Sequence, residues 1–303
     1  MKSEDIIKDT RVLKLKKGLL KAACSIYKEL RTGESLVDLK TSNASNDTQI
    51  ALDVFADDRF KEELRATDEI KYYLSEESPA FLEYGSGELS LALDPLDGSK
   101  SAMVGIPSGS IFGIFKNVDS ITDLSGKNIL ASGFFVYGIN LEVYLRYDDK
   151  VFKGTFVQES SVWRFESINF LPKSKMIAIN ASNKHQWEEW LQEFYEELIF
   201  IKDEKLKPFN MRWYASMVTE VKRLIIQGGL FAYPSDRRKG YENGHLRAVY
   251  EAIPMAYLIR GLGGASSDGE HSLLDICVSE IHQKTPVFLG NKELIEKVEQ
   301  HRK

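Results

Sequence analysis

The sequence predicts an α/β protein in which helices and strands form a layered α+β arrangement. Amphipathic helical patterns and β-rich apolar runs are intermixed along all 303 residues, without repeats or low-complexity tracts. Hydrophobic residues make up 43% of the chain and charged residues 28%, which is typical of a globular protein with one or two domains. A soft domain boundary is expected at Leu171-Pro172, between an N-terminal unit (1–170) and a C-terminal unit (171–303).

The bulk properties argue against several classes of function. A net charge of −5 gives no reason to expect nucleic acid or an anionic membrane as a partner. The two cysteines, Cys24 and Cys277, are too few for a disulfide framework or a zinc cluster. Residues 1–10 lack the apolar core of a signal peptide, and no run approaches the roughly 18–20 apolar residues that span a bilayer. We therefore expect a cytoplasmic protein.

The first two elements are predicted to be helices. Between Leu13 and Leu30, apolar residues recur at helical spacing among lysines. After a polar loop, a second helix is expected to begin at Asp47, as its N-cap, and to run to about residue 64. Asp53 lies six residues further on, about 9 Å along a helix that rises about 1.5 Å per residue. The two carboxylates cannot both bind one ion tightly, so if both are functional they have different roles.

The next two predicted strands end in carboxylates. The first finishes at Glu76 and Glu77, neighbours that would point to opposite faces of a strand. The second, 89–93, stops at Asp94 because the following proline cannot donate to a β-ladder, and Asp97 comes across a turn. Oxygen ligands of this kind suit Mg²⁺ or Mn²⁺, and the groups that follow them can hold an anion. Taken alone, this pattern does not distinguish a site for metal and anion from an ordinary Asp/Gly turn with solvated glutamates nearby.

The remaining chain alternates between β-rich and helical patterns. Further strands are expected over 111–115, 129–137, 141–147, 151–170, 176–179 and 230–234. Helices are expected over 185–198, up to about 226, and from 254 to 262. Glu251 would lie just outside the last of these helices, at the end that favours an anion.

Five motifs narrow this prediction. They are Asp94-Pro-Leu-Asp97-Gly-Ser99, Ser110-Ile-Phe-Gly-Ile-Phe115, Gly228-Gly-Leu-Phe-Ala-Tyr233-Pro234, Tyr250-Glu251-Ala-Ile-Pro254-Met-Ala256 and Ile281-His-Gln-Lys-Thr-Pro286-Val-Phe-Leu-Gly290. Together they resemble the fructose-1,6-bisphosphatases of the Mg²⁺-dependent, lithium-sensitive phosphatase superfamily, which also contains inositol monophosphatases. The resemblance runs from about residue 46 to residue 290 and implies the αβαβα layered sandwich of these sugar phosphatases.

The resemblance also implies an activity and a site. The activity is metal-dependent hydrolysis of the 1-phosphate of fructose 1,6-bisphosphate, which gives fructose 6-phosphate and phosphate. Two or three Mg²⁺ ions per subunit, with Mn²⁺ as a substitute, neutralise the phosphoryl oxygens and lower the pKa of a bound water in such chemistry. The implied metal ligands are Asp47, Glu76, Asp94, the carbonyl oxygen of Leu96, Asp97 and Glu251. Asp53 and Glu77 correspond to the catalytic pair that orients and deprotonates the attacking water.

The implied substrate-binding residues fall into two groups. Those for the 1-phosphate end are Gly98, Ser99, Lys100 and Arg247, and those for the sugar and the 6-phosphate are Asn180, Arg212, Trp213, Met217, Tyr233 and His245. In this family the arginine equivalent to Arg212 reaches the 6-phosphate across a subunit interface, so a homodimer or homotetramer is expected.

Three of these positions depart from the family pattern. Lys100 replaces a second serine, His245 replaces a lysine that touches the sugar, and Trp213 replaces a tyrosine. Histidine is charged only part of the time at neutral pH, and an indole N–H donates a hydrogen bond but cannot accept one. The substitutions leave sedoheptulose 1,7-bisphosphate open as an alternative substrate. An inositol phosphatase is less favoured because the tail motifs match the fructose bisphosphatase branch, and a sugar-phosphate sensor without catalysis is less favoured because every acidic position is filled.

The usual site for AMP inhibition is not matched. AMP-inhibited relatives carry a Thr-Gly-Glu-Leu-Thr run ahead of the helix matched here by 13–30, and this chain begins too late to contain it. They also carry a Lys-Tyr pair before the Asp94 strand, where this chain has Glu88-Leu89. We therefore expect that AMP does not inhibit this protein through that site.

Overall fold

A computed structural model describes residues 7–36, 38–42, 48–116, 118–200 and 207–303 of the chain. The α-helices in these residues are α1 (Thr10–Thr32), α2 (Ala51–Arg65), α3 (Ser99–Met103), α4 (Glu189–Ile199), α5 (Met217–Gln227), α6 (Ile253–Gly261) and α7 (Lys292–Arg302). Short 3₁₀ helices lie at Ile121–Asp123, Ala181–Gln186 and Leu273–Asp275, and a π-helical turn lies at Ala248–Ala252. None of the described helices is both long enough and apolar enough to span a bilayer.

The strands form two main sheets and two small β-ladders. The strands are β1 (Asp38–Ser42), β2 (Thr48–Ile50), β3 (Ile70–Ser75), β4 (Leu82–Glu83), β5 (Leu89–Asp97), β6 (Ser108–Phe115), β7 (Ile129–Tyr137), β8 (Leu141–Tyr147), β9 (Lys150–Val157), β10 (Val162–Ile168), β11 (Met176–Ala178), β12 (Asn210–Met211), β13 (Leu230–Tyr233), β14 (Leu246–Arg247), β15 (Ala265–Ser267), β16 (Lys284–Thr285) and β17 (Val287–Gly290). The larger sheet has the order β10-β9-β8-β7-β6-β5-β3-β4, and the smaller has the order β12-β11-β13-β17-β15.

Each sheet contains neighbouring parallel strands. In the larger sheet β3 runs parallel to β5, whereas β5 to β10 form antiparallel pairs. In the smaller sheet β11 runs parallel to both β12 and β13. Because the carboxyl ends of parallel strands meet at one edge, the segments that follow these strands gather in two groups.

Helices and sheets alternate in five layers, which confirms the predicted αβαβα arrangement. Helices α1 and α2 pack on the outer face of the larger sheet through one apolar core. A second core joins the inner face of that sheet to α5, α6 and the smaller sheet. A third core joins the outer face of the smaller sheet to α4 and α7. Strand β6 is buried along its whole length, as expected for a strand covered on both faces.

Four predicted boundaries were wrong. The second helix begins at Ala51, not at Asp47, because residues 48–50 form a strand. The helix expected over 185–198 begins at Glu189, since a 3₁₀ helix occupies 181–186. Strand β3 ends at Ser75, one residue before the paired glutamates.

The strand expected to stop at Asp94 instead continues to Asp97. Its register with β6 shifts between these two residues, so the irregularity accommodates Pro95, which cannot donate to the ladder. The chain then turns at Gly98, whose φ of 76° is readily adopted only by glycine. The chain therefore turns at Gly98, three residues after the proline that was expected to end the strand.

Candidate active site

A cleft opens where the two sheets present the ends of their parallel strands. Glu76 and Glu77 follow β3, and Asp94 and Asp97 lie near the end of the adjacent β5. On the opposite side, side chains that follow the three parallel strands of the smaller sheet face the same space. This is the position at which ligands bind in sheets with parallel strands.

The cleft has a volume of about 290 Å³ and brings together sixteen of the eighteen predicted site residues. These are Asp53, Glu76, Glu77, Asp94, Leu96, Asp97, Gly98, Ser99, Lys100, Asn180, Trp213, Met217, Tyr233, His245, Arg247 and Glu251. A larger cavity of about 930 Å³ lies elsewhere on the C-terminal half and is lined by none of the predicted site residues.

Three carboxylates form the deepest part of the cleft. One oxygen from each of Asp94, Asp97 and Glu251 lies within 4.8 Å of the others. Oxygens on opposite sides of an octahedral Mg²⁺ ion are about 4.2 Å apart, since each bond is about 2.1 Å long. At least two of the three pairs must be neighbours on such an ion, about 3.0 Å apart, so the oxygens need to approach one another by up to about 2 Å to share a divalent cation, and their hard oxygen donors fit one.

Burial and mutual repulsion oppose the ionisation of these groups. Burial, followed by repulsion from Glu76, Glu251 and Asp97, raises the pKa of Asp94 well above its ordinary value. Burial also raises the pKa of Glu251 to about 8, although the nearby Arg247 guanidinium favours the charged form. A bound cation would stabilise the charged forms of both carboxylates and so offset the burial and repulsion that raise their pKa values.

Asp97 is held in place by the N-terminus of α5. Its Oδ2 accepts hydrogen bonds from the Ser216 hydroxyl and the Val218 N–H, both at 2.9 Å, and its Oδ1 accepts one from the Met217 N–H at 3.2 Å. These bonds offset part of the rise that burial causes in the pKa of Asp97. The helix terminus thus orients the carboxylate and favours its charged form.

Asp53 owes its position to the corrected start of α2. Because the helix begins at Ala51, Asp53 is its third residue, and its Oδ2 accepts the N–H of Ile50 at 2.7 Å. Burial, with added repulsion from Glu77 and Glu76, raises the pKa of Asp53 to about 7. A carboxylate with this pKa suits proton transfer near neutral pH.

The paired glutamates both line the cleft, contrary to the expectation that they point to opposite faces. The strand period no longer applies, because they lie in the turn after β3. The Glu76 N–H donates to the carbonyl of Leu93 at 3.1 Å, and the Glu77 N–H donates to Ser75 Oγ at 3.2 Å. A guanidinium nitrogen of Arg247 lies 3.2 Å from a Glu76 carboxylate oxygen. The turn is therefore fixed at several points.

The opposite wall of the cleft is aromatic. Asn180, Trp213 and Tyr233 follow or end the parallel strands β11, β12 and β13. The Trp213 and Tyr233 rings are 5.7 Å apart, and the His245 ring stacks on Tyr233 at 5.4 Å. A second ring, Tyr241, stacks on the other side of His245 at 5.0 Å. The imidazole is thus held between two phenol rings.

The short helix α3 brings the remaining groups to the rim of the cleft. Gly98 precedes it, and Ser99 and Lys100 form its first turn. The Lys100 side chain is exposed yet lines the cleft, so it adds a cationic group beside Asp97.

Two predicted residues are not in the cleft. Asp47 lies outside the described residues. Arg212 is exposed and donates to the carbonyl of Met211 at 2.8 Å. It adjoins β12, the edge strand of the smaller sheet.

Sequence reasoning missed Ser216, which lines the cleft and holds Asp97. A signal was available, because a serine immediately ahead of an amphipathic run is typical of a helix N-cap. Ser101, Ala215, Phe231 and Leu246 also line the cleft and were not singled out.

Comparison with known proteins places this geometry in a family. A family sequence model described as the N-terminal domain of fructose-1-6-bisphosphatase matches residues 8–166, and one described as the C-terminal domain matches residues 171–303. The class 1 fructose-1,6-bisphosphatase of Rhodobacter capsulatus is 38% identical over 255 residues, covering 82% of this chain and 77% of that protein. The corresponding protein of Rhodopseudomonas palustris is 36% identical over 266 residues, covering 85% and 77%.

A solved structure agrees with the sequence relatives. The holo form of Leishmania major fructose-1,6-bisphosphatase superposes with a TM-score of 0.91 at 26% identity, covering 98% of this chain and 95% of that one. Both halves of the chain, the strand order around the cleft and the acidic cluster thus lead to one assignment. The chain belongs to the fructose-1,6-bisphosphatase family.

Proposed function

We propose that this protein hydrolyses the 1-phosphate of fructose 1,6-bisphosphate to give fructose 6-phosphate and phosphate, with Mg²⁺ as its cofactor. The observation that carries the proposal is the single cleft that combines an acidic floor with an aromatic and polar wall. Such a floor suits divalent cations, and such a wall suits a sugar phosphate.

The charge of the cleft supports a requirement for more than one cation. Six carboxylates and two cationic side chains line it, an excess of four negative charges when all are ionised. A bisphosphate would be repelled by this surface, and two divalent cations supply the four positive charges that balance it. We therefore propose at least two Mg²⁺ ions per subunit, held by Glu76, Asp94, Leu96, Asp97 and Glu251, with Asp47 as a ligand of a third.

The reaction needs a water held in line with the phosphorus atom. When bound, the cations neutralise the phosphoryl oxygens, activate water and stabilise the leaving alkoxide. Asp53 binds and orients the water together with Glu77. Its Oδ2 is engaged by the Ile50 N–H, which leaves Oδ1 to accept the proton of the attacking water.

The remaining cleft residues orient the substrate. Ser99, Lys100 and Arg247 bind the 1-phosphate. The aromatic wall on the opposite side of the cleft positions the 6-phosphate near Asn180 and Tyr233. This positioning converts hydrolysis into a reaction between groups already in place. No covalent intermediate on the protein is required.

We also propose that the chain forms a homo-oligomer in the cytoplasm. Arg212 lies on the exposed edge of the smaller sheet beside the partly exposed Met211 and Tyr214, from which it can reach the 6-phosphate site of a neighbouring subunit. Cys24 and Cys277 are both free thiols, which agrees with a reducing compartment. The division of labour between the metal site in 1–170 and sugar-phosphate binding in 171–303 belongs to the same proposal.

The test is phosphate release from a panel of substrates, with Mg²⁺, with Mn²⁺ and after chelation. The panel contains fructose 1,6-bisphosphate, sedoheptulose 1,7-bisphosphate and inositol monophosphate. We expect metal-dependent release with the highest kcat/KM on the fructose ester, and fructose 6-phosphate as the product. A higher kcat/KM on another substrate, or equal activity in chelator, would contradict the proposal.

A further inference from the structure

The motif around His282 helped to identify the family, yet none of its residues has a role in the site described above. The imidazole lies outside the cleft, half-buried in the lining of the larger cavity, between two segments that carry predicted metal ligands. Its Nε2 lies 3.1 Å from the carbonyl oxygen of Ser78, and its Nδ1 lies 2.9 Å from the hydroxyl of Tyr250. The ring therefore contacts one residue from each half of the chain.

The two hydrogen-bond partners determine the tautomer of the His282 ring. The Ser78 carbonyl can only accept, so the hydrogen is on Nε2. Nδ1 of the neutral ring then accepts from the Tyr250 hydroxyl. Burial lowers the pKa of His282, which agrees with a neutral imidazole. One side chain thus donates to the first segment and accepts from the second.

The first segment is the turn of the paired glutamates. Ser78 is buried and its N–H donates to the Ser75 carbonyl at 3.1 Å, which closes the turn that contains Glu76 and Glu77. A hydrogen bond to the Ser78 carbonyl therefore restrains the turn from behind.

The second segment is the π-helical turn of Glu251. Tyr250 immediately precedes Glu251 and is fully buried. The carbonyl of Gln283, the residue after His282, accepts the N–H of Ala248 at 2.8 Å. The following residues pair as β16 with β14. The segment that begins at His282 is thus hydrogen-bonded to the residues that precede Glu251 from β14 to Tyr250.

We propose that His282 is a positioning residue that couples the two halves of the metal site. It sets the distance between the Glu76–Glu77 turn and the Glu251 turn without touching metal or substrate. This inference rests on the proposed metal ligands. It predicts that loss of the imidazole weakens metal binding more than it weakens binding of the sugar phosphate.

The experiment compares wild type, His282→Ala, Tyr250→Phe, the double variant and the control His271→Ala. His271 is an exposed histidine that lines the larger cavity, away from the cleft. Mn²⁺ binding is measured by electron paramagnetic resonance without substrate, and the Mg²⁺ dependence of kcat and KM is measured separately. Circular dichroism establishes that each variant is folded.

We expect His282→Ala to raise the Kd for Mn²⁺ about tenfold, the lower end of the range for residues that orient metal ligands. Tyr250→Phe keeps the packed ring and removes one bond, so it should raise the Kd by a smaller factor. The double variant should be no weaker than His282→Ala, because both changes break the same connection. At saturating Mg²⁺ the KM for the bisphosphate should stay within about twofold of wild type.

Three results would overturn the inference. They are unchanged Mn²⁺ binding in folded His282→Ala or Tyr250→Phe, an equal shift in His271→Ala, and a rise in KM at saturating Mg²⁺ with metal binding intact. If His282→Ala does not fold, Tyr250→Phe alone decides the question. Wild type that binds no Mn²⁺ would instead contradict the proposed function.

Discussion

Raising the pH from 5 to 8 is expected to destabilise the protein when divalent metal is absent. Burial, with repulsion from nearby glutamates, raises the pKa of Asp53 from an ordinary 3.8 to about 7 in the folded protein. The folded state therefore binds this proton more tightly than the unfolded state does. Stability is lost as the pH rises from the unfolded pKa to the folded one. Glu251, with a pKa raised by burial to about 8, acts in the same direction.

The size of the stability loss follows from the part of the interval between the unfolded and folded pKa of Asp53 that lies above pH 5. One pH unit of difference is worth about 1.4 kcal/mol. From pH 5 to about 7, Asp53 alone thus contributes a loss of about 3 kcal/mol, and its side chain is only 5% exposed, so solvent screens little of it. At ~2 °C per kcal/mol for a chain of this size, the melting temperature should fall by about 6 °C.

Other buried carboxylates, including those on the floor of the cleft, act in the same direction because burial raises their pKa values as well, whereas the following groups do not. Asp9, Glu197 and Glu293 have lowered pKa values because of ion pairs and hydrogen bonds, so their contributions are complete by pH 5. The pKa of His282 is lowered by burial, so this group adds stability as the pH rises and works in the opposite direction. A control variant that changes only the Asp53 contribution is therefore needed.

The assay is urea unfolding in chelator at pH 5, 6, 7 and 8, with wild type and Asp53→Asn compared at each pH. The amide can still accept the Ile50 N–H but cannot ionise. We expect the wild type to lose about 3 kcal/mol more than the variant, and Mg²⁺ at pH 8 to restore stability. Parallel pH curves for the two proteins, or wild-type stability that rises with pH, would refute the reasoning.

Three further predictions concern activity. Asp97→Asn should lower kcat/KM at least ~10³-fold and raise the half-saturating Mg²⁺ concentration, since it weakens a ligand in metal catalysis; normal phosphate release would exclude this residue from the metal site. The KM of wild type should fall as the pH drops through the histidine range near ~6.5, and His245→Lys should abolish this dependence; identical pH curves would remove His245 from the substrate contacts. AMP should not inhibit at micromolar concentration in steady-state assays, because Glu88-Leu89 stands where the resemblance implies a Lys-Tyr pair, and Glu88 pairs with Arg11; micromolar inhibition would contradict this.

Local residue patterns were sufficient for most of the fold, whereas the contents of the cleft followed largely from the family resemblance. The Gly98 turn and the end of α5 before Gly228 follow from glycine conformations that other residues rarely adopt. The cleft members were found through motifs, because turns after strands carry their chemistry within a few adjacent residues. The layered order followed from the resemblance, and the packing of three separate cores now accounts for it.

The wrong and missed predictions share one physical cause. At these positions the structure is determined by contacts between residues that are distant in the sequence. Asp47 was expected to begin a helix on local propensity, but residues 48–50 pair with β1 instead. The paired glutamates were assigned by strand period, but β3 ends before them. Ser216 and Tyr250 are connected to Asp97 and His282 across more than thirty positions, and no local pattern shows such partners.

The most direct test of the central claim is the location of metal in a crystal grown with Mn²⁺ and phosphate. Anomalous scattering should place at least one ion in contact with carboxylate oxygens of Asp94, Asp97 and Glu251. Phosphate should lie beside it, next to Ser99. Ions bound only elsewhere on the protein, with an empty acidic floor at saturating Mn²⁺, would contradict the account.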